Sequence, residues 1–149
     1  MWEQLLGIFE NLPLWCAILA WAAAQLIKII IEFCKTKKLN PALLVGTGGM
    51  PSSHTAFVTA MSITIGLSDG FGSPMFAISA VLMLIVMSDA AGVRRAAGKQ
   101  AEVINMIVEN IENTGIKLDK KLKELLGHSP IEVAVGAVLG TLIAVICHG

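Results

Sequence analysis

Three observations predict an all-α integral membrane fold. Apolar residues make up 55% of the 149-residue chain and charged residues only 15%. Mean hydropathy is +0.74. The apolar residues gather in long runs between polar loops, the pattern of membrane spans rather than of a soluble core. At this length the chain is read as a single domain, 1–149.

About four transmembrane helices are expected, over 12–33, 54–68, 73–93 and 131–147. A span needs about 20 residues, with a lower limit near 17. The second run is at that limit unless its helix begins at Pro51. The alternative is a re-entrant segment packed inside the protein. The stretch 2–11, with Leu5, Leu6 and Phe9, reads as interfacial; having no basic residue, it does not read as a cleaved signal peptide. Residues 35–50 form a loop, with Asn40-Pro41 as a turn signal and Gly46, Gly48 and Gly49 beyond it. Residues 70–74 form a tight turn. Val93, Ala97, Ala101, Ile104, Val108 and Ile111 recur at helical spacing, which predicts an amphipathic cytoplasmic helix to about Glu112, with a second short one over 118–126. On the last span Gly136 and Gly140 make a small-xxx-small face, suited to close packing within the subunit or between subunits.

Net charge is zero, but all eleven Lys and Arg fall in two blocks: Lys28, Lys35, Lys37 and Lys38, then Arg94 to Lys123. The positive-inside rule puts both blocks in the cytoplasm and both termini outside. The two polar motifs described next then share the cytoplasmic face. Cys16, Cys34 and Cys147 show no paired spacing and no ligand pattern, so they read as small packing residues. No zinc spacing, nucleotide loop or nucleic-acid signature is present, and membrane lipids are the expected partners.

Pro51-Ser52-Ser53-His54 follows Gly48-Gly49-Met50. Ser52 or Ser53 can cap the helix that follows, and a helix N-terminus attracts anions. His54 can then hold a phosphoryl oxygen or protonate a leaving one. A plain serine cap beside an interfacial histidine fits the tetrad equally well. In Gly127-His128-Ser129-Pro130-Ile131-Glu132, Ser129, Pro130 and Glu132 make a capping box. That explains everything but His128, whose ring Glu132 is close enough in sequence to orient. Lys28 lies inside an apolar run and is a functional candidate by default, with snorkelling to the interface as the alternative. Lys35 is two turns further, roughly 10 Å along the same face. Asp89 with Arg94 or Arg95 marks the end of the third span, as a membrane-edge ion pair or with an arginine clamping phosphate. Gln100 and Asn105 are weaker candidates, and His148 falls on the opposite face.

Together these residues resemble the type 2 phosphatidate phosphatase superfamily, related to acid phosphatases and vanadium haloperoxidases, and in particular its small divergent bacterial and plastid branch. The superfamily's first motif is Lys, six residues, then Arg-Pro; here Lys28 and Lys35 keep the spacing, with Lys for Arg and Thr36 for Pro. The second, Pro-Ser-Gly-His, matches Pro51–His54 except at Ser53. The third is Ser-Arg, five residues, His, three residues, Asp; His128 and Glu132 keep the final spacing, and Leu122 stands at the Arg position.

The resemblance implies a membrane phosphatase acting on a lipid phosphate monoester or a polyprenyl (di)phosphate. His128 would be the nucleophile, Glu132 its orienting group and His54 the general acid. Lys28, Lys35, Ser52, Ser53, Arg94 and Arg95 would hold the phosphoryl oxygens, with no metal or other cofactor. It also implies the bacterial cytoplasmic membrane, and the charge pattern puts the site near its cytoplasmic face. The family core has six helices, so four spans suggest a reduced unit or a homo-oligomer. The missing arginine leaves a second reading: a non-catalytic protein that binds or transports anionic lipid on the same fold.

Overall fold

The computed structural model describes residues 2, 6–37, 49–112 and 129–149. It contains α1 (Leu12–Thr36), α2 (Ser53–Asp69), α3 (Pro74–Ala91), α4 (Val93–Glu112) and α5 (Pro130–His148). No strand occurs among the described residues. The predicted short helix over 118–126 and most of the 35–50 loop lie outside them.

Local chemistry sets the helix ends. The Asn11 side chain accepts from the Leu14 N–H at 3.0 Å, starting α1 with Pro13 in its first turn. Lys37 closes α1 in the left-handed region at φ 58°, where its N–H reaches the Phe33 carbonyl at 2.8 Å. Ser73 caps α3 by accepting from the Phe76 N–H at 3.1 Å, ahead of Pro74. Gly70, at φ +90°, turns the chain out of α2.

Three helices are long and apolar enough to cross a membrane: α1, α3 and α5. The 17-residue α2 is not one of them. At 1.5 Å per residue it measures roughly 25 Å, short of the ~30 Å hydrocarbon layer. It packs against α1, α3 and α5. Three of the four expected spans are thus plainly long enough, and α2, at the lower limit for a span, is enclosed by them. The cause is its side chains: Ser53, Thr55, Thr59, Ser62 and Thr64 are all buried, and lipid offers hydroxyls no partner. Thr64 Oγ1 donates to the Ala60 carbonyl at 2.8 Å. The Ser79 hydroxyl donates to the Phe76 carbonyl at 2.9 Å. Its single proton is then used, so Ser62 donates across the helix pair to Ser79 Oγ at 3.2 Å.

The interior is built of small residues. Cys16, Ala17, Ala20 and Ala24 on α1, Ala56 and Ala60 on α2, and Ala144 on α5 are fully buried. The large apolar side chains point outward, among them Leu26, Ile30, Ile78, Ile85, Leu142 and Ile146. Lipid tails are as apolar as leucine, so helices associate through close packing and polar contacts rather than by hiding large side chains. The glycine face of α5 is directed to α2 within the subunit. A Cβ on Gly140 would sit 2.5 Å from the Ala56 carbonyl oxygen, and one on Gly136 would sit 2.5 Å from that of Ser52.

Only Gly92 separates α3 from α4. The predicted amphipathic helix is present to Glu112, but its inward stripe differs. Gly98 and Asn105 are buried and Ala101 and Val108 half-buried, whereas Ile104 is exposed with Val103, Met106 and Ile107. Periodicity finds an apolar face; in a membrane protein that face need not be the one turned to the protein.

Gly140→Leu is expected to destabilise the fold by about 1–3 kcal/mol, the usual cost of overpacking, read as a lower unfolding temperature in detergent. Gly72→Ala, with open space around it, should leave that temperature unchanged.

Candidate functional site

The N-termini of α2 and α5 meet at one end of the bundle, beside Lys28 in the second half of α1. Ser52 caps α2: its Oγ accepts from the Thr55 N–H at 3.4 Å and from the Thr55 hydroxyl at 3.0 Å. Ser129 caps α5 in the expected capping box. Its Oγ accepts from the Glu132 N–H at 3.3 Å, and Glu132 Oε2 accepts from the Ser129 N–H at 2.9 Å.

A backbone bond joins the two caps: the Ser52 N–H donates to the Glu132 carbonyl at 3.0 Å. It forms because Gly136, one turn past Glu132, has no side chain to hold the Ser52 backbone away. The tetrad and the Ser129–Glu132 turn, far apart in sequence, are thereby locked together.

Lys28 completes the cluster from α1. Only 4% exposed, it donates through Nζ to Ser53 Oγ at 3.1 Å and is attracted by the Glu132 carboxylate. It reaches into the bundle rather than snorkelling to the surface. A buried ammonium needs such partners, since desolvating an unpaired charge costs several kcal/mol. Two helix N-termini, each with a partial positive charge, converge beside this ammonium, with one carboxylate opposed to them. A buried ammonium, the hydroxyls of Ser52, Ser53 and Thr55 and one carboxylate thus share this end of the bundle.

The other predicted residues distribute unevenly. Ser52 and Ser53 are buried in the cluster, and His54 is half-buried in the first turn of α2. Lys35 is exposed, two turns past Lys28, and does not join the cluster. Arg94 and Arg95 occupy the first turn of α4 by backbone, and their side chains lie outside what is described. His128, the residue before Ser129, also lies outside the described residues. Asp89 is half-buried near the end of α3, Gln100 is exposed and Asn105 is buried. Sequence reasoning missed Gln25, 4% exposed and one turn before Lys28 on α1. Its signal was available: a second polar residue at i−3 within an apolar run.

Replacing Ser129 by Ala should cost about 1 kcal/mol, the usual value of an N-cap. Glu132→Gln keeps the capping geometry, so its cost reports mainly the attraction to Lys28. Thermal unfolding of the double-mutant cycle should show that cost disappearing in a Lys28→Met background. Strict additivity would mean that the two groups do not interact.

Comparison with known proteins gives concordant results. The model of the divergent PAP2 family matches residues 9–143. The chain is also 43% identical to the uncharacterized membrane protein YuiD of Bacillus subtilis (strain 168), in an alignment covering 93% of this chain and 95% of that protein. No solved structure matches. The family model spans the three helices that build the cluster, together with both capped turns, and the chain therefore belongs to the divergent PAP2 family.

Proposed function

We propose that this membrane protein is a phosphatase for a phosphate carried on a lipid, working through a histidine nucleophile. The observation that carries the proposal is the Lys28–Ser53 hydrogen bond beside the joined caps of α2 and α5. It brings the lysine of the first motif, the serines of the second and the glutamate of the third to one end of the bundle.

In this reading the phosphoryl oxygens bind Lys28, Ser52 and Ser53 at the N-terminus of α2, where charge-assisted bonds are strongest. Arg94 and Arg95 supply further positive charge. A ring nitrogen of His128 attacks phosphorus; the P–N bond forms as the P–O bond to the lipid alcohol breaks. His54 gives its proton to the departing alkoxide. Water then attacks the phosphohistidine, His54 takes up the water's proton, inorganic phosphate departs and His128 is restored. Glu132 orients His128 while capping α5. A carboxylate has two oxygens and about four lone-pair sites, so both tasks are compatible. The positive-inside pattern puts this chemistry at the cytoplasmic face of a bacterial membrane.

A second reading, binding or transport of anionic lipid without turnover, is favoured by the exposed Lys35 and by Leu122 at the family's arginine position. Assembly of several copies would suit either reading.

Purified protein incubated with phosphatidate, phosphatidylglycerophosphate and polyprenyl phosphates should release phosphate from at least one. His128→Ala should lower that rate by roughly the factor of 10³ or more that follows loss of a nucleophile, and His54→Ala by about 10²–10⁴. Wild type no faster than His128→Ala on every substrate defeats the catalytic reading. Orientation is separately testable in a background lacking the native cysteines. Gly49→Cys and Ile131→Cys should react with an impermeant thiol reagent from the cytoplasmic side, and Gly72→Cys from the other.

A further inference from the structure

An apolar groove leads away from the polar cluster. Its volume is about 220 Å³, and Ile27, Ile31, Val135, Val138, Leu139 and Leu142 line it, with Met50 and Pro51 closing one end. Val135, Val138, Leu139 and Leu142 recur at i, i+3, i+4 and i+7, one continuous face of α5. The glycine face beside it is occupied by α2. On α1, Ile27 and Ile31 flank Lys28, which turns instead toward Ser53.

The groove is apolar throughout, and the polar cluster adjoins it. Pro51 belongs both to its wall and to the tetrad. Glu132 precedes Val135 by about one turn, and from Val135 to Leu142 the groove extends roughly 10 Å further along α5. Charge and hydroxyls come first, then Pro51 and Val135, then only hydrocarbon. Val138 and Leu142, on its rim, are 60% and 55% exposed. In a membrane that exposure is to lipid, so a chain reaches the groove sideways from the bilayer.

We propose that this groove between α1 and α5 seats the hydrocarbon chain of the phosphorylated lipid whose head group meets Lys28. The inference rests on the phosphate-binding reading above and adds where the chain lies and how it arrives. Because bilayer and groove are equally apolar, seating the chain adds little affinity. Its effect is alignment, which fixes the ester oxygen relative to Lys28 and Ser53. Affinity comes from the head group, so the groove selects lipids with a terminal phosphate over other lipids with the same chains.

The test uses the full-length protein in phosphatidylcholine vesicles. These contain either phosphatidate or phosphatidylcholine bearing a photoactivatable diazirine in mid-chain. After irradiation, phosphatidate should label the α1 segment around Ile27 and Ile31 and the α5 segment from Val135 to Leu142. Labelling by phosphatidylcholine should be weaker by on the order of tenfold, the change one charge-assisted hydrogen bond supplies. Lys28→Met should remove that preference. Val138→Trp and Leu142→Trp should reduce phosphatidate labelling severalfold, and Ile85→Trp on the outer face of α3 should not. Equal labelling by both lipids, or labelling of α3 in place of α1 and α5, overturns the inference. This readout is independent of turnover. If wild type labels as expected but releases no phosphate, the catalytic reading fails and the groove stands; release without selective labelling gives the reverse.

Discussion

The close approach of α2 to α5 is the contact on which the site depends. In lipid no hydrophobic force drives helices together, so backbones must come near enough for dispersion and polar contacts to act. Gly136 and Gly140 permit that approach, with carbonyl oxygens of α2 where side chains would otherwise be. The consequence reaches beyond packing. With Gly136 opposite Ser52, the Ser52 N–H finds the Glu132 carbonyl. One hydrogen bond then fixes the spatial relation between two turns that sequence separates widely. A residue with a β-carbon at position 136 would uncouple them even if each helix still formed.

The shortness of α2 serves the same end. A helix of 17 residues is at the lower limit for a span, so the irregular chain at its ends lies close to membrane depth. Such backbone is tolerated only when protein surrounds it. α1, α3 and α5 provide that enclosure, and their large side chains face lipid while alanine, serine and threonine fill the interior. The polar interior of α2, which reads as weak membrane filler, thus suits a helix whose N-terminus holds a buried charge.

Much of this was legible in the sequence, and the gaps have physical causes. Apolar run length located the helices, and capping chemistry located the start of α5 at Ser129 and that of α2 at the serines of the tetrad. The lysine inside an apolar run and the two hydroxyls of the tetrad pointed to the residues that meet. Run length does not reveal which helix the others enclose, because an enclosed helix and a lipid-facing one are both apolar overall. The hydroxyls of Thr55, Thr59, Ser62 and Thr64 carry that distinction. Similarly, the glycine pair announced close packing without naming its partner, and the periodicity of α4 found an apolar face without saying whether lipid or protein covers it. Equal spacing also made Lys28 and Lys35 look equivalent. They differ because α1 is still inside the bundle at Lys28 and has reached its exposed end at Lys35.

The resting partners of Lys28 bear on what the pocket is for. A lysine serving stability alone would best be matched by a carboxylate in direct contact with it. Here the ammonium donates to a neutral hydroxyl, and Glu132 gives one oxygen to the cap of α5. Hydrogen bonds between ionised groups are roughly twice as strong as neutral ones. A phosphoryl oxygen is therefore a better acceptor for Lys28 than Ser53 Oγ. The hydroxyl can rotate to donate to that same oxygen, so the serine need not be displaced. The N-termini of α2 and α5 are joined beside Lys28, and their dipoles are fixed before any ligand arrives, at no reorganisation cost. The fold already bears the cost of burying this cation, and a bound anion would offset part of it. Family membership by itself does not establish activity; a buried ammonium bonded to a hydroxyl is the physical reason to look for a phosphate there.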